Sequence, residues 1–382
     1  MSGVAPIVQN KPVDDAFHQQ RLKTWQPILS PMNVIIIFLI IGVSFIPAGV
    51  GLMQMSDAIF EQKFQYDGVG AKNEDCKVDK IKSDTPNTCS NTFQITQDVD
   101  KPLHVYYELE NFYQNHRMYV KSQSTKQLLD TLDTSNESDM KTLKEDSCEN
   151  MATYIEPTTK VEKLLWPCGL IAQSYFNDQF KLTSASLNAG FKLNEDGIAW
   201  ESDYDKFKNP DGFKYAEYDS AKNTCENHGL PSDCKSWPLT GTTKYKYWYP
   251  DFDKRQYIFQ TYPQINPIKG LNDEHFMIWM RTAALPKFRK IYGTIAPPKG
   301  GFKKGDTIEF SISSSFEVRS YNGKKSLVIS TISDMGGKNT YIGTAYLVVG
   351  SIAVLLTVLF IIKHLTSDRR KLGDTNLLRW DD

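Results

Sequence analysis

The stretch VIIIFLIIGVSFIPAGVGLM, from Val34 to Met53, contains 20 residues and no charged side chain. A second stretch, IGTAYLVVGSIAVLLTVLFII from Ile342 to Ile362, contains 21 residues and also lacks charge. At about 1.5 Å per residue, each forms a helix of about 30 Å, which is the thickness of the hydrocarbon core of a bilayer. The sequence therefore predicts a membrane protein with two transmembrane helices, residues 34–53 and 342–362.

Other interpretations of the two stretches fit less well. A signal peptide has a shorter apolar core near the N-terminus and a small-residue cleavage site, which the first stretch lacks. A core helix of a soluble protein is rarely apolar on every face over 21 residues, as the second stretch is. Both stretches contain small residues, among them Gly42, Gly49, Gly343 and Gly350. These residues favour close helix packing, either between the two spans or with the helices of a partner.

The charges beside the spans predict their orientation. The basic residues are Lys11, Arg21 and Lys23 before the first span, and Lys363, Arg369, Arg370, Lys371 and Arg379 after the second. Short basic tails stay in the cytosol, whereas a long domain is translocated largely regardless of its charge. We therefore predict cytosolic tails of residues 1–33 and 363–382, and an exoplasmic or lumenal domain of residues 54–341.

The cysteines support the same compartment for this domain, because all six lie within it. They are Cys76, Cys89, Cys148, Cys168, Cys225 and Cys234. An even number confined to one compartment predicts disulfides in an oxidising space, although sequence alone leaves many pairings open. The simplest pairing joins neighbours in sequence, since each bond then closes a short loop. No CxxC or HExxH spacing is present, so no metal site is predicted.

The domain between the spans is predicted to be β-rich. Thr307–Ile312 alternates apolar and polar residues, and Asn322-Gly323 indicates a hairpin turn before Ser326–Ile332. Phe93–Ile95 and Leu103–Leu109 are a second candidate strand pair. No long amphipathic helix pattern appears. We therefore expect an antiparallel, sandwich-like domain held together by disulfides.

No motif for catalysis or nucleotide binding is recognisable. The chain contains no GxxxxGK[ST], GxGxxG or GxSxG sequence. Asp273, Glu274 and His275 are adjacent, but consecutive residues of a strand point to opposite faces and would not converge. The 44 Lys and Arg balance 45 Asp and Glu, which gives no reason to expect a nucleic acid partner. The sequence predicts neither an enzyme nor a cofactor.

The segment EHFMIWMRTAALPKFRKIYG, from Glu274 to Gly293, sets Arg281 directly behind an apolar run. Its basic residues make it a poor membrane span. We predict a strand with Phe276, Ile278 and Met280 on one face, buried on both sides. Arg281 then serves either an internal ion pair or a contact with a partner protein.

Three further residues are candidates for modification or contact. Asn136-Glu137-Ser138 is an N-glycosylation sequon in a polar stretch that is predicted to be a surface loop. Arg21 and Trp25 precede the first span, where basic and indole side chains settle at the cytosolic interface. They are candidates for partner contact.

Seven motifs, in order along the chain, resemble the cell division control protein 50 (ligand-effect modulator) family. They are QQRLKTWQPILSP (19–31), IPAG (46–49), YYELENFYQNHRMYV (106–120), PCGLIAQSYFND (167–178), GIAWESD (197–203), FMIWMRTAALPKFRKIYG (276–293) and GGKNTYIGTAYLVVG (336–350). The resemblance extends from about Phe17 to Leu372. One departure is that Asn177-Asp178-Gln179 is not a sequon, whereas many relatives have one there.

The resemblance implies a noncatalytic accessory β-subunit, joined as a heterodimer to a type IV P-type ATPase that acts as a phospholipid flippase. The pump moves lipid from the exoplasmic to the cytosolic leaflet, and the subunit supports its folding, its export from the endoplasmic reticulum and its activity. The implied location extends to the Golgi apparatus, endosomes or plasma membrane. The resemblance also implies antiparallel sheets, N-glycans, and the disulfides Cys76–Cys89 and Cys148–Cys168, while Cys225–Cys234 depends on proximity alone.

An alternative class is the trimeric ligand-gated channel with two spans, cytosolic termini and a disulfide-rich ectodomain. Such a channel should line its pore with polar positions of the second helix. Here that helix offers only scattered Gly, Ser and Thr among Leu, Val and Ile. The accessory-subunit interpretation is therefore preferred.

Overall fold

The computed structural model describes residues 15–22, 30–72, 75–79, 86–218, 224–238 and 244–366. The chain divides into two compact units. One contains the chain up to Asp57 and from Asn339 onward, and the other is Ala58–Lys338.

Within the described residues, helices and strands alternate irregularly along the chain. The α-helices are α1 (Pro31–Asp57), α2 (Arg117–Lys121), α3 (Thr125–Leu128), α4 (Glu137–Thr142), α5 (Leu170–Gln173), α6 (Ser184–Asn188), α7 (Glu201–Tyr204), α8 (Ile258–Thr261), α9 (Glu274–Met280) and α10 (Thr340–Thr366). The strands are β1 (Glu61–Gly68), β2 (Asn87–Gln94), β3 (Leu103–Glu110), β4 (Thr153–Ile155), β5 (Glu162–Trp166), β6 (Gln179–Leu182), β7 (Leu193–Asn194), β8 (Lys214–Tyr218), β9 (Lys235–Pro238), β10 (Lys244–Trp248), β11 (Arg255–Tyr257), β12 (Lys287–Ile295), β13 (Thr307–Ser314) and β14 (Lys324–Ser330).

The first unit is a pair of antiparallel helices, α1 and α10, each 27 residues long and apolar enough to cross a bilayer. Their backbones meet at glycines. A Cβ atom on Gly49 would lie 3.0 Å from the carbonyl oxygen of Gly343, and one on Gly343 would lie 3.1 Å from that of Gly49. Larger side chains at this level would separate the helices, so these small residues serve contact between the two helices.

The second unit contains two larger sheets. The first has the strand order β1-β14-β3-β12-β7 and the second the order β2-β13-β6, and every pairing in them is antiparallel. Alternation along β13 places Ile308, Phe310 and Ile312 on the buried face, each 0% exposed. Two smaller sheets have the orders β8-β10-β9 and β4-β5-β11, and β11 is parallel to β5.

The two larger sheets share one hydrophobic core. The ring of Phe180 on β6 lies 5.8 Å from that of Tyr66 on β1 and 4.8 Å from that of Tyr292 on β12. Three disulfides, Cys76–Cys89, Cys148–Cys168 and Cys225–Cys234, close loops within the unit. The predicted fold class, two long apolar helices flanking a β-rich domain with disulfides, is confirmed.

Both strand pairings predicted from the sequence are wrong. β13 and β14 belong to different sheets, and a 3-10 turn, Arg319–Tyr321, precedes Asn322 in the left-handed conformation with φ of 56°. β2 pairs with β13, whereas β3 pairs with β12 and β14. The Asn-Gly signal marks a real reversal of the chain, but the strands on either side of it find partners distant in sequence.

A cluster of buried charges lies at the end of the core. Lys325 and its two carboxylate partners have side chains with 0% exposure, and its Nζ lies 2.8 Å from Oδ2 of Asp178 and 3.5 Å from Oδ2 of Asp67. The Nε of Arg319 donates to Oδ1 of Asp67 at 2.9 Å. The hydroxyl of Tyr66 donates to Asp178 at 2.8 Å, and burial raises the pKa of this tyrosine well above its ordinary value. Each buried charge therefore has an opposite charge beside it.

We expect Lys325→Met to lower the free energy of unfolding by about 3–5 kcal/mol, because it leaves the Asp178 carboxylate buried without its cation. Lys324→Met is the matched control, since the Lys324 side chain is 40% exposed, and it should change stability by less than about 0.5 kcal/mol. Denaturant unfolding of the purified full-length variants measures both. Equal stability of the two variants would contradict the importance of the buried cluster.

Candidate functional site

The segment that holds Arg281 is built on α9, a short helix buried in the core. Asp273 caps its N-terminus by accepting a hydrogen bond from the backbone N–H of Phe276 at 3.2 Å. Phe276, Met277 and Trp279 are each 0% exposed. The indole Nε1 of Trp279 donates to the carbonyl of Ile171 at 2.8 Å. The helix is thus fixed at its start and along its length.

The prediction of a strand for Phe276–Met280 is wrong. A short run that is apolar at every position has neither helical nor strand periodicity, so the pattern alone could not distinguish the two. The missed signal is Asp273, an N-cap residue directly before the apolar run. The same error affects the argument about Asp273, Glu274 and His275. These side chains fail to converge because each has a separate partner, not because they alternate along a strand.

Glu274 holds a neighbouring segment of the chain in place. Its carboxylate accepts hydrogen bonds from the backbone N–H groups of Gly197, Ile198 and Ala199 at 3.0, 2.6 and 2.9 Å. Burial raises the pKa of this carboxyl, but the hydrogen bonds from Ala199 and Gly197 outweigh it and hold the pKa below its ordinary value. Trp200, the next residue, is therefore attached to a fixed stretch of backbone.

Arg281 follows the last residue of α9 and forms a bidentate ion pair with Asp203 of α7. The Nε and Nη2 atoms donate to the two carboxylate oxygens at 2.5 and 3.0 Å. Lys206 adds a contact to the same carboxylate at 3.0 Å. Burial of Asp203 acts to raise its pKa, and the bonds from Arg281 and Lys206 overcome this, so the pKa is lowered. Of the two roles expected for Arg281, the structure contains the internal ion pair.

The guanidinium of Arg281 also stacks on the indole of Trp200, with Cζ 3.7 Å from the ring centroid. Trp200 is 66% exposed, and the Arg281 side chain is 39% exposed. We call Trp200, Asp203 and Arg281 the Trp200–Arg281 surface. It presents a large aromatic ring to solvent, and the stacked Arg281 guanidinium fixes the conformation of that ring. Tryptophan and arginine are among the residues most enriched at the energetic hot spots of protein interfaces.

Lys290, on β12, hydrogen-bonds to the C-terminal end of α9, which leads into Arg281. Its Nζ donates to the carbonyl oxygens of Ile278, Trp279 and Arg281 at 2.7, 2.9 and 2.5 Å. These carbonyls lie at the C-terminal end of α9. The last carbonyl groups of a helix have no hydrogen-bond donor within the helix, and here Lys290 supplies one. Burial and the nearby Arg281 charge lower the pKa of Lys290 to about 7, and the three acceptors act in the opposite sense because only the ammonium form supplies three N–H donors. Sequence analysis missed this residue, since a lysine in a strand is normally taken as exposed.

Two further predicted site residues, Asn136 and Arg21, have local contacts of their own. Asn136 is exposed and caps α4, its Oδ1 accepting from the backbone N–H of Ser138 at 3.0 Å. Arg21 is exposed, and its backbone N–H donates to Ala16 at 2.7 Å. Trp25 lies outside the described residues. Asn136 shares none of the hydrogen-bond partners of Arg281.

Groups able to bind a metal ion are not assembled in the part of the chain that the structure describes. No group of three or more His, Cys, Asp or Glu side chains there is arranged to hold a metal ion. His275 contacts Glu195 at 3.0 Å, separately from Glu274 and Asp273. The Trp200–Arg281 surface presents an exposed indole beside a bidentate ion pair.

Comparison with known proteins gives consistent matches. A family model described as LEM3 (ligand-effect modulator 3) family / CDC50 family matches residues 52–370. The chain is 36% identical to ALA-interacting subunit 3 of Arabidopsis thaliana, with 100% of this chain and 93% of that protein covered. It is 36% identical to cell cycle control protein 50A of Bos taurus, covering 93% and 89%. It is 28% identical to the phospholipid-transporting ATPase accessory subunit CDC50 of Chaetomium thermophilum, covering 98% and 92%.

Proposed function

The chain belongs to the LEM3/CDC50 family, and from this premise we propose that it is a noncatalytic accessory subunit of a P-type ATPase that transports phospholipid. The observation that carries the proposal is the extent of the similarity. It covers the domain between the apolar helices and continues through α10, and one relative is named for this role. The subunit forms a heterodimer with the pump and supports its folding, its export from the endoplasmic reticulum and its movement of lipid to the cytosolic leaflet.

The proposed topology places both termini in the cytosol and the domain of residues 54–341 in the lumen or outside the cell. The antiparallel pairing of α1 and α10, in which the ring centroids of Phe45 and Tyr346 lie 4.9 Å apart, supports a topology with both termini on the same side of the membrane. The disulfides support an oxidising compartment for the domain. The complex then travels from the endoplasmic reticulum to the Golgi apparatus, endosomes or plasma membrane.

Asn136 is proposed as a glycosylation site in that compartment. Its Oδ1 is used in the cap of α4, and a glycan attaches to the other amide atom, Nδ2. An exposed sequon at the start of a surface helix leaves room for a glycan without disturbing the core.

The Trp200–Arg281 surface is proposed as a contact with an exoplasmic segment of the ATPase. Trp200 is large, exposed and held by the Arg281 stack, so little conformational entropy is lost when a partner covers it. Arg21 and Trp25 are proposed as a separate contact on the cytosolic side.

The function is tested by affinity purification of the tagged full-length chain in mild detergent, with mass spectrometry of the proteins that co-purify. We expect a P-type ATPase in about equal amount, with ATP hydrolysis that phospholipid stimulates and vanadate inhibits. A homotrimer without an ATPase would overturn the proposal and favour the channel alternative.

For the glycan, we expect Ser138→Ala to increase electrophoretic mobility by one glycan, to the position of enzymatically deglycosylated wild type. This variant removes the sequon but keeps the Asn136 cap, because the cap uses the backbone N–H of residue 138. Asn150→Gln, an exposed asparagine outside any sequon, is the control. Unchanged mobility of Ser138→Ala would refute glycosylation at Asn136.

For the partner contact, we expect Trp200→Ala to reduce recovery of the ATPase at least tenfold, the usual effect of an interface anchor of about 1.4 kcal/mol or more. Tyr215→Ala is the matched control, because Tyr215 is another exposed aromatic residue, 55% exposed, on β8. Its recovery should equal that of wild type. Wild-type recovery with Trp200→Ala would remove this surface from the interface.

A further inference from the structure

A second surface feature, distinct from the Trp200–Arg281 surface, is an open cavity of about 170 Å³ beside the Cys148–Cys168 disulfide. Its apolar lining comes from Met118, Met151 and Leu170, which are 47%, 38% and 36% exposed. A cavity of this size has room for one long side chain. Apolar residues exposed together in a concave site are typical of a binding surface.

The walls of this cavity are tied together, so it exists before any partner binds. Ser122, directly after α2, accepts a hydrogen bond from the backbone N–H of Leu170 on its Oγ at 2.9 Å. Gly169, which precedes α5, donates its N–H to the carbonyl of Met151 at 3.0 Å. A Cβ atom on Gly169 would clash with the backbone carbonyl of Ser122. The three lining segments are therefore held in contact by backbone interactions and by the disulfide.

The charges of the lining favour a cation. The ten lining residues include the carboxylates of Asp146 and Glu149 and one ammonium, that of Lys121. Within the described ranges, Glu145 and Glu162 pair with Lys141 and Lys144, whereas neither Asp146 nor Glu149 takes part in an ion pair. The surrounding chain from Asp130 to Glu149 contains seven Asp and Glu but two Lys. The lining, with two carboxylates and one ammonium, therefore carries a net negative charge.

We propose that this cavity receives a lysine or arginine side chain from an exoplasmic segment of the ATPase partner. The aliphatic stem lies on Met118, Met151 and Leu170, and the cationic head lies between Asp146 and Glu149. Long basic side chains bury their stems against apolar surface while keeping their charge with polar groups, which is the combination this lining offers. The inference depends on the proposed function for the identity of the partner.

The direct test is carboxylate labelling with a carbodiimide and glycinamide, followed by peptide mass spectrometry. The wild-type full-length chain is labelled alone and in its purified complex with the ATPase. We expect Asp146 and Glu149 to be labelled at least fivefold less in the complex, and the exposed carboxylates Asp253 and Glu217 to be labelled equally in both. Equal labelling of Asp146 and Glu149 in the two samples would overturn the proposal.

A charge-reversal pair provides the functional test. We expect Asp146→Lys/Glu149→Lys to reduce ATPase recovery about tenfold, with Asp253→Lys/Glu217→Lys, which changes the net charge equally, at the wild-type level. Wild-type recovery with the first pair would overturn the cavity proposal alone, whereas failure of the wild-type chain to recover any ATPase would overturn the proposed function as well. Protection of the two carboxylates by phosphatidylserine vesicles without the ATPase would identify a lipid headgroup as occupant and would overturn a protein segment.

Discussion

The ammonium group of Lys325 is the constraint on which the domain depends. It is fully buried, and a buried cation requires its counter-charges in place at the same time. The partners of Lys325 come from three parts of the chain: Asp67 from β1, Asp178 from the segment before β6, and Ser314 and Phe316 from the end of β13 and just after it. The carbonyl oxygen of Phe316 accepts at 2.5 Å. β1 and β14 belong to the five-stranded sheet, whereas β6 and β13 belong to the three-stranded one. The contacts that Lys325 makes with these residues therefore hold the two sheets together.

The position of Arg281 follows from the same core. Tyr175 and Phe176 precede Asp178 in the chain. The ring centroid of Tyr175 lies 6.2 Å from that of Phe276, and the ring centroid of Phe176 lies 6.4 Å from that of Trp279, both on α9. α9 is thereby packed against the segment that the buried lysine holds, and Lys290 completes its C-terminal end. Arg281 directly follows this fixed end of α9. The exposed Trp200 ring therefore stacks on a side chain whose backbone is held by buried contacts.

The sequence predicted the features that depend on composition and missed those that depend on tertiary contact. Long uncharged runs such as Val34–Met53 indicate long apolar helices, and strict alternation in Thr307–Ile312 indicates a strand. The run at Phe276–Met280 has no period, so only its cap at Asp273 distinguished helix from strand. The roles of Lys290 and Lys325 were beyond reach, because a lysine counts as a surface residue until the fold shows which buried acceptors it meets.

A subunit without catalysis acts only through the surfaces that it offers to a partner. When these surfaces are rigid, less free energy is lost in ordering side chains and loops on binding. The loop after Arg281 is bound to the chain before α2. The N–H of Ala283 donates to Oε1 of Gln114 at 2.9 Å, and Nδ2 of Asn115 donates to the carbonyl of Ala284 at 2.9 Å. α2 then supplies Met118 to the cavity beside the disulfide. Gln114 and Asn115, which bind the loop after Arg281, are therefore only four and three residues from Met118 in the chain. A partner that engages one proposed contact meets the other already in position and gains from both without a second ordering cost.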